Sequence, residues 1–525
     1  MAIYPFLIVL FPIISLWELN ADYIPLRMVY RSLVLAIVVT IILLLLAYLL
    51  TRDWQQAGVV TTIVLLVVFM YGHFYTGLKE MGFPATLVRH RYLVPIAVML
   101  VVLVEFLVLR YKQVIQSVSL FFMVVGISLV VMPTTRLAVY LVETASTSGA
   151  LPQFADKFSS VADENTPDIY YIILDAYGRQ DVLNDLYHYD NSEFIQALEQ
   201  RGFYVADASA SNYMQTYKSL SSSLNMDYLD DYIQQNNGRF SVKDATEMIV
   251  YSRLRRLLSD RGYKTVAFGT SFEDFSKVDI FLKSPENKNI LAQSTQYLNE
   301  FEGMLVNTTI GKAWLDSYLK SHGEEIGALG LPYQLHKDRV LFTLTEIGDV
   351  AKRPEKKLVI AHVVSPHPPF VFDKDGGDVP QKNIYELNDG NDFEGSPEEY
   401  IAGYVEQIQY INKLTLKAAD EIIKNSKEPP IIIIQGDHGP GAYLDFSSVD
   451  NSNIPERMSI LNAYYFPDGN YENLYPSISP VNSFRVVLDQ FFGMKMDLLQ
   501  DDHFFSAGSY NNPQFINVND RLKEP

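Results

Sequence analysis

The sequence predicts a chain in two parts. A bundle of five N-terminal transmembrane helices precedes an α/β domain built on a doubly wound, largely parallel sheet. Three observations carry this. Apolar residues crowd into the first 146 positions in long uncharged runs. From Asp168 onward, short β-rich apolar runs alternate with helical stretches. Charge divides at the same place. Of 42 Lys+Arg and 61 Asp+Glu in 525 residues, residues 1–150 hold 9 and 6, leaving 33 and 55. The net charge of −19 therefore sums a slightly basic anchor and a strongly acidic remainder. A mean hydropathy of +0.05 averages the same two unlike parts.

Each membrane element follows from composition. The apolar runs are Ile3 to Trp17, Ser32 to Leu50, Val59 to Leu78, Tyr92 to Leu109 and Val118 to Met132. A helix rises 1.5 Å per residue and the hydrocarbon core is about 30 Å thick, so crossing takes ~20 mostly apolar residues. Runs two to four meet this length. The first and fifth are short and borrow flanking residues, Leu137 to Leu141 for the fifth. The first run lacks a basic leader and a small-residue cleavage site, so it reads as retained rather than as a signal peptide. Glu105 falls inside the fourth run and reads as a carboxylate beside a polar neighbour or near the interface. Basic residues in the loops after runs one and three (Arg27, Arg31, Lys79, Arg89, Arg91) outnumber those after runs two and four (Arg52, Arg110, Lys112). By the positive-inside tendency, the first set, and with it the C-terminal part, would face the cytoplasm.

Composition also excludes. With 13% aromatic residues, the chain is too rich in core formers for disorder. Its negative charge argues against a nucleic-acid partner. Zero cysteines remove disulfides, Cys-based zinc sites and Cys nucleophiles, while leaving the compartment open.

The domain boundaries follow: 1–146 transmembrane, 147–166 a Ser/Ala/Asp/Pro-rich linker, and 167–525 the α/β domain. Strands are expected at Ile169–Leu174, Gly202–Val205, Lys264–Phe268, Lys357–Val364 and Pro430–Gln435. Helices are expected at Asn191–Arg201, Tyr251–Arg261 and Glu399–Asn425. In such sheets ligands sit beyond the carboxyl ends of the strands. Asp175 and Asp437 both stand there.

Four motifs carry chemistry. Gly436-Asp437-His438-Gly439 sets a carboxylate beside an imidazole on a glycine-flanked turn, a pair suited to Zn²⁺ or Mn²⁺ or to no metal at all. Asp175 in LDAYGR is a third oxygen ligand or a helix cap. Arg179 is an anion-binding or surface cation. Thr216 begins a Thr-x-x-Ser-Leu helix start, where a hydroxyl either caps the helix or, beside a cation, becomes a nucleophile. His367, held between prolines in Ser365-Pro366-His367-Pro368-Pro369-Phe370, can protonate a leaving oxygen or hold a transferring phosphate or sulfate.

In this order the motifs resemble the alkaline phosphatase/sulfatase superfamily over Asp168 to Ser506. The five helices and linker resemble its membrane branch, like lipoteichoic-acid synthases and phosphoethanolamine transferases. The resemblance implies an alkaline-phosphatase-like catalytic domain acting on phosphate or sulfate esters of membrane lipids or envelope glycans. It implies one divalent metal (Mn, Zn or Mg, with Ca also admitted) on Asp175, Thr216, Asp437 and His438. Thr216 becomes the covalent nucleophile and His367 a substrate ligand; Arg179, by its own charge, is expected to bind the substrate anion. It also implies a multi-pass protein of the bacterial plasma membrane with its catalytic domain outside, against the basic-residue tally. Two departures stand out. Asp175 is a shorter acid than the branch's usual Glu, and the Cys/Ser-x-Pro-x-Arg sulfatase signature is absent near Thr216. A second metal is not assembled, because His362 is expected inside a strand. The competing reading is a non-catalytic membrane sensor or scaffold that keeps the fold. Oligomeric state is open.

Overall fold

A computed structural model describes residues 2–523, apart from 22, 23, 25, 82, 85, 147–165, 237, 271, 273, 274, 285–298, 315, 316, 318–330, 382–384, 510 and 511. The expected linker thus lies almost wholly outside the described residues. The chain divides into two compact units. The first is Met1–Thr147 with Thr295–Leu329 and Lys382–Ile384; the second is Ser148–Ser294, Gly330–Gln381 and Tyr385–Pro525.

The first unit contains helices α1 (Tyr4–Leu19), α2 (Leu26–Thr51), α3 (Trp54–Glu80), α4 (His90–Arg110) and α5 (Ile115–Ser146). α1 packs against α5, α3 and α2, and α4 against α3. The turn between α2 and α3 is set by Asp53, whose carboxylate accepts Gln55 N and Gln56 N at 2.9 Å each. Among the described residues, four spans are long and apolar enough to cross a membrane: Met28–Thr51, Trp54–Lys79, His90–Leu107 and Ile115–Val142. The expectation of five is corrected here. α1 has 16 residues, about 24 Å of helix, which falls short of the hydrocarbon thickness. The fifth run does borrow its flank, continuing helically through Leu137 to Val142. Leu45, Leu49, Val98, Leu103 and Phe121 are exposed, the face a bilayer covers. Glu105 lies half-buried five residues before the end of α4, close to the interface.

The second unit is built on a seven-stranded sheet in the order β2-β7-β6-β1-β5-β3-β4. The strands are β1 (Ile169–Leu174), β2 (Tyr204–Val205), β3 (Lys264–Phe268), β4 (Ile280–Leu282), β5 (Lys357–Val363), β6 (Ile431–Gly436) and β7 (Asn462–Tyr465). β1 runs parallel to both β5 and β6; β7 is antiparallel to its two neighbours. A separate hairpin pairs β8 (Phe504–Ser509) with β9 (Asn512–Asn517).

The run IYYIIL shows why this sheet is doubly wound. All six residues are buried. Ile169, Tyr171 and Ile173 join one core with Leu220 and Leu224 of the helix Thr216–Asn225 and Phe484 of the helix Pro480–Phe492. Tyr170, Ile172 and Leu174 join the other with Leu344 of Leu331–Val350 and Tyr404 and Ile411 of Pro397–Asn425. Alternate residues face opposite layers, so a strand covered on both sides reads as continuously apolar.

Candidate metal centre and active site

Strand register brings the motifs together. Leu174, the last residue of β1, is level with Val363 on β5 and Gly436 on β6. The segments carrying Asp175, His367 and Asp437-His438 therefore leave one edge of the sheet at the same height. His367 N donates to Asp175 O at 3.0 Å, tying two of these segments. Ala176 follows in the left-handed region at φ 61°, and its N–H donates to Asp437 Oδ1 at 3.1 Å. A non-glycine residue there is uncommon and strained. One turn after Thr216, Ser219 Oγ donates to Asp437 O at 2.7 Å, drawing the helix start onto the same loop.

Asp175, Asp437 and His438 are buried, and a ligand atom from each lies within 4.8 Å of the others. Thr216 Oγ1 is 3.1 Å from His438 Nε2. Neither capping alternative is what these residues do. Gln215, not Thr216, is the N-cap of its helix, and Arg179 is the N-cap of the helix Gln180–Asp185. Asp175 instead turns into the cluster with neither oxygen hydrogen-bonded, and Asp437 Oδ2 is equally without a partner. Buried carboxylate oxygens left bare are costly. His438 Nδ1 meets Gly439 O at 2.9 Å, which fixes the proton on Nδ1 and leaves the Nε2 lone pair facing Asp175 and Asp437 at 3.6 and 3.4 Å. Three buried carboxylate oxygens without a hydrogen bond and an oriented imidazole lone pair fit a divalent cation.

The electrostatics agree. Burial first, then the neighbouring Asp175 carboxylate, pushes the Asp437 carboxyl above its ordinary range. Burial works the same way on Asp175, but His367 and His362 beside it outweigh that effect and hold the carboxyl low. Burial, then the Arg457 charge, pushes the His438 imidazole down, favouring the neutral ligand form.

His367 Nδ1 is engaged with Pro368 O, and its Nε2 lies 3.9 Å from Asp389 Oδ2. The His367 and His438 rings are 6.3 Å apart. Arg179 goes elsewhere. Its Nε and Nη2 donate to Asp181 at 2.7 and 2.6 Å and its Nη1 to Ser209 O at 2.9 Å. It lines a cavity of about 650 Å³ with Asp185, Pro455 and Arg521. None of these hydrogen-bond partners belongs to the cluster.

Arg457 and Asp389 carry no signal in the sequence, and His362, weighed there only for a second metal, joins the site from its strand. His362 does lie in β5, yet its Nε2 reaches Asp175 Oδ2 at 3.3 Å, because Ile173 and His362 are register partners. Buried Arg457 donates to Met214 O at 2.8 Å, Gly439 O at 3.0 Å and Asp389 Oδ2 at 2.5 Å, with Nη2 3.3 Å from His438 Nε2. It thereby joins the segment before Thr216 to the loop after His438. Asp389 also accepts from Tyr400 Oη at 2.7 Å. Arg457→Met strands the Asp389 charge in the interior. It is expected to lower stability by about 3–5 kcal/mol, read by chemical denaturation; a loss under ~1 kcal/mol would contradict this pairing.

Gly439 explains the glycine in the motif. A Cβ there would meet Glu456 O at 2.1 Å and Ser459 O at 3.0 Å, both backbone atoms. Gly439→Ala must move the loop that holds His438. We expect a stability loss of about 3 kcal/mol or more and a matching loss of bound metal, measured by thermal unfolding and metal analysis.

This is an α/β domain whose sheet edge gathers a carboxylate pair, an imidazole and a hydroxyl. The sulfatase family model matches residues 167–484, more than half of the chain, and the chain belongs to that family. No curated protein matches the sequence. Among solved structures, the C-terminal periplasmic domain of EptC from Escherichia coli is 13% identical, covering 70% of this chain and 97% of its own, at a TM-score of 0.41. The integral membrane lipooligosaccharide phosphoethanolamine transferase A from Neisseria meningitidis is 11% identical, with 87% and 83% covered and a TM-score of 0.37. BT1596, a 2-O glycosaminoglycan sulfatase, is 11% identical, with 63% and 72% covered and a TM-score of 0.36.

Proposed function

We propose that this protein is a membrane-anchored hydrolase or transferase that removes phosphate or sulfate groups from esters of cell-envelope lipids or glycans through a covalent ester on Thr216. The observation that carries the reading is the buried Asp175–Asp437–His438 group with its bare carboxylate oxygens and the Thr216 hydroxyl against His438. Membership of the sulfatase family supports it.

Asp175, Asp437, His438 and Thr216 would hold one divalent ion of Zn, Mn or Mg. When bound, the ion supplies positive charge that lowers the hydroxyl pKa and offsets charge developing on the ester. Thr216 Oγ1 loses its proton to solvent and attacks phosphorus or sulfur. The bond to the leaving oxygen breaks as the Thr216 ester forms. His367, with Nδ1 occupied by Pro368 O, gives the proton on Nε2 to the leaving oxygen. In the second step, neutral His367 takes a proton from water or an acceptor hydroxyl, which displaces Thr216 as its alkoxide; the alkoxide then regains a proton. Buried Asp389 and Arg457 hold the loops in place. Arg179 would meet the substrate anion through the cavity it lines.

The catalytic domain is placed outside the plasma membrane of a bacterium. Two assays test the proposal. Purified full-length protein should hydrolyse an aryl phosphate or an aryl sulfate only with divalent metal present. Protease added to intact cells should cut the catalytic domain. Full activity after stripping metal, or a catalytic domain protected in intact cells, would overturn the corresponding part.

A further inference from the structure

Residues 299–314 fall inside the stretch matched to the sulfatase family, yet they pack with the membrane helices. Asn299 opens the helix Glu300–Thr308 with a capping box to Glu302. Its Nδ2 donates to Met28 O at 3.0 Å, at the start of α2. Glu302 pairs with Arg31 of α2. Phe301 is fully buried in a cluster with Val9, Ile13, Val29 and Leu65. At Gly72 the packing is backbone on backbone, because a Cβ there would meet Asn307 O at 2.1 Å. Ile310 N donates to Val68 O at 2.8 Å. Glycine admits such close approach between elements packed in a membrane. Satisfying a non-helical N–H internally is what a backbone at bilayer depth requires.

The level of this contact is legible in α3. Tyr71, His73, Phe74 and Tyr75 lie in the C-terminal part of its apolar run, and such aromatic residues gather at a membrane–water boundary. Ile310 and Ala313 pack with Tyr71, Tyr75 and Val94 of α3 and α4. Trp314, at the end of the segment, is 62% exposed. Ile96 and Met99 of α4, in the same unit, are also exposed.

We propose that residues 299–314 form a bilayer-interface element whose partner is the lipid surface, with Trp314 seated at the headgroup level. The family domain is then attached to the membrane at two points of its sequence: at the end of α5 and in the middle of its own chain. This is independent of the ester chemistry proposed above.

The chain has three tryptophans and no cysteine, which makes the test direct. Full-length protein carrying Trp17→Phe and Trp54→Phe is placed in phosphatidylcholine–phosphatidylglycerol vesicles containing a shallow doxyl-labelled lipid. Trp314 emission should be quenched at least twofold by the doxyl lipid and shielded from aqueous iodide. Gly72→Leu in this background should reverse both effects while metal content and aryl-ester hydrolysis persist. In case that variant fails to fold, Val68→Cys with Ile310→Cys should form a disulfide in membranes under mild oxidation. Iodide quenching without doxyl quenching, or no disulfide in the folded double variant, overturns the proposal. Doxyl quenching in a protein without ester turnover would count against the proposed function alone.

Discussion

Thr216→Ala is expected to lower kcat by more than about 10⁴-fold, the scale on which losing a nucleophile acts in covalent catalysis. The fold should survive, because Thr216 contributes no cap to its helix and Gln215 occupies that position. Its side-chain hydrogen bond goes to His438, so the loss falls on chemistry rather than packing. KM for a small aryl ester should change little, since the ester is recognised by groups other than the nucleophile. Thr216→Ser should keep part of the activity by restoring a hydroxyl. Steady-state kinetics with metal content and circular dichroism in parallel checks all of this. Turnover within tenfold of the parent in a folded, metal-loaded Thr216→Ala variant would remove the covalent mechanism.

Asp437→Asn, or removal of metal by chelation, is the second large effect. Asp437 Oδ1 accepts from Ala176 N and its Oδ2 is bare, so the asparagine keeps the backbone contact but loses the charge. Turnover should fall to background in both cases. Chelation should also lower the unfolding temperature of the parent, because ligand at ~1,000 times its Kd stabilises the native state by about 4 kcal/mol. The sign with pH can be worked out. The Asp437 pKa is raised above its ordinary value by burial and by Asp175. In metal-free protein its contribution to stability is present at low pH and lost as pH rises through the raised value. A cation replaces that proton. Metal affinity should therefore rise with pH over the same range, with protons released on binding. Calorimetry in two buffers of different ionisation enthalpy measures the release; uptake of protons would contradict the ligand set.

Much of this is legible in the sequence, and the reasons are specific. β1 and β6 announce themselves as uncharged runs, and a strand buried on both faces must end in something polar at the sheet's working edge. Asp175 and Asp437-His438 are those endings. Thr216 and His367 were marked by a helix start and by flanking prolines. What escaped depends on pairings that spacing does not encode. Arg457 and Asp389 are 68 residues apart and meet only because the fold closes them. His362 was placed in its strand, but its reach to Asp175 depends on the register of β1 against β5. α1 misled by composition, since an apolar run does not reveal where the helix stops. Residues 299–314 carry nothing in their pattern that names α2 and α3 as their seat.

The central claim, a covalent group on Thr216, is tested most directly by mass spectrometry of metal-loaded protein quenched with acid during turnover of an aryl phosphate or aryl sulfate. The account predicts a mass increase equal to the transferred group, mapped by peptide fragmentation to Thr216 and absent in Thr216→Ala. A protein that turns over rapidly with no adduct under any quench, or with the adduct on another residue, would contradict it.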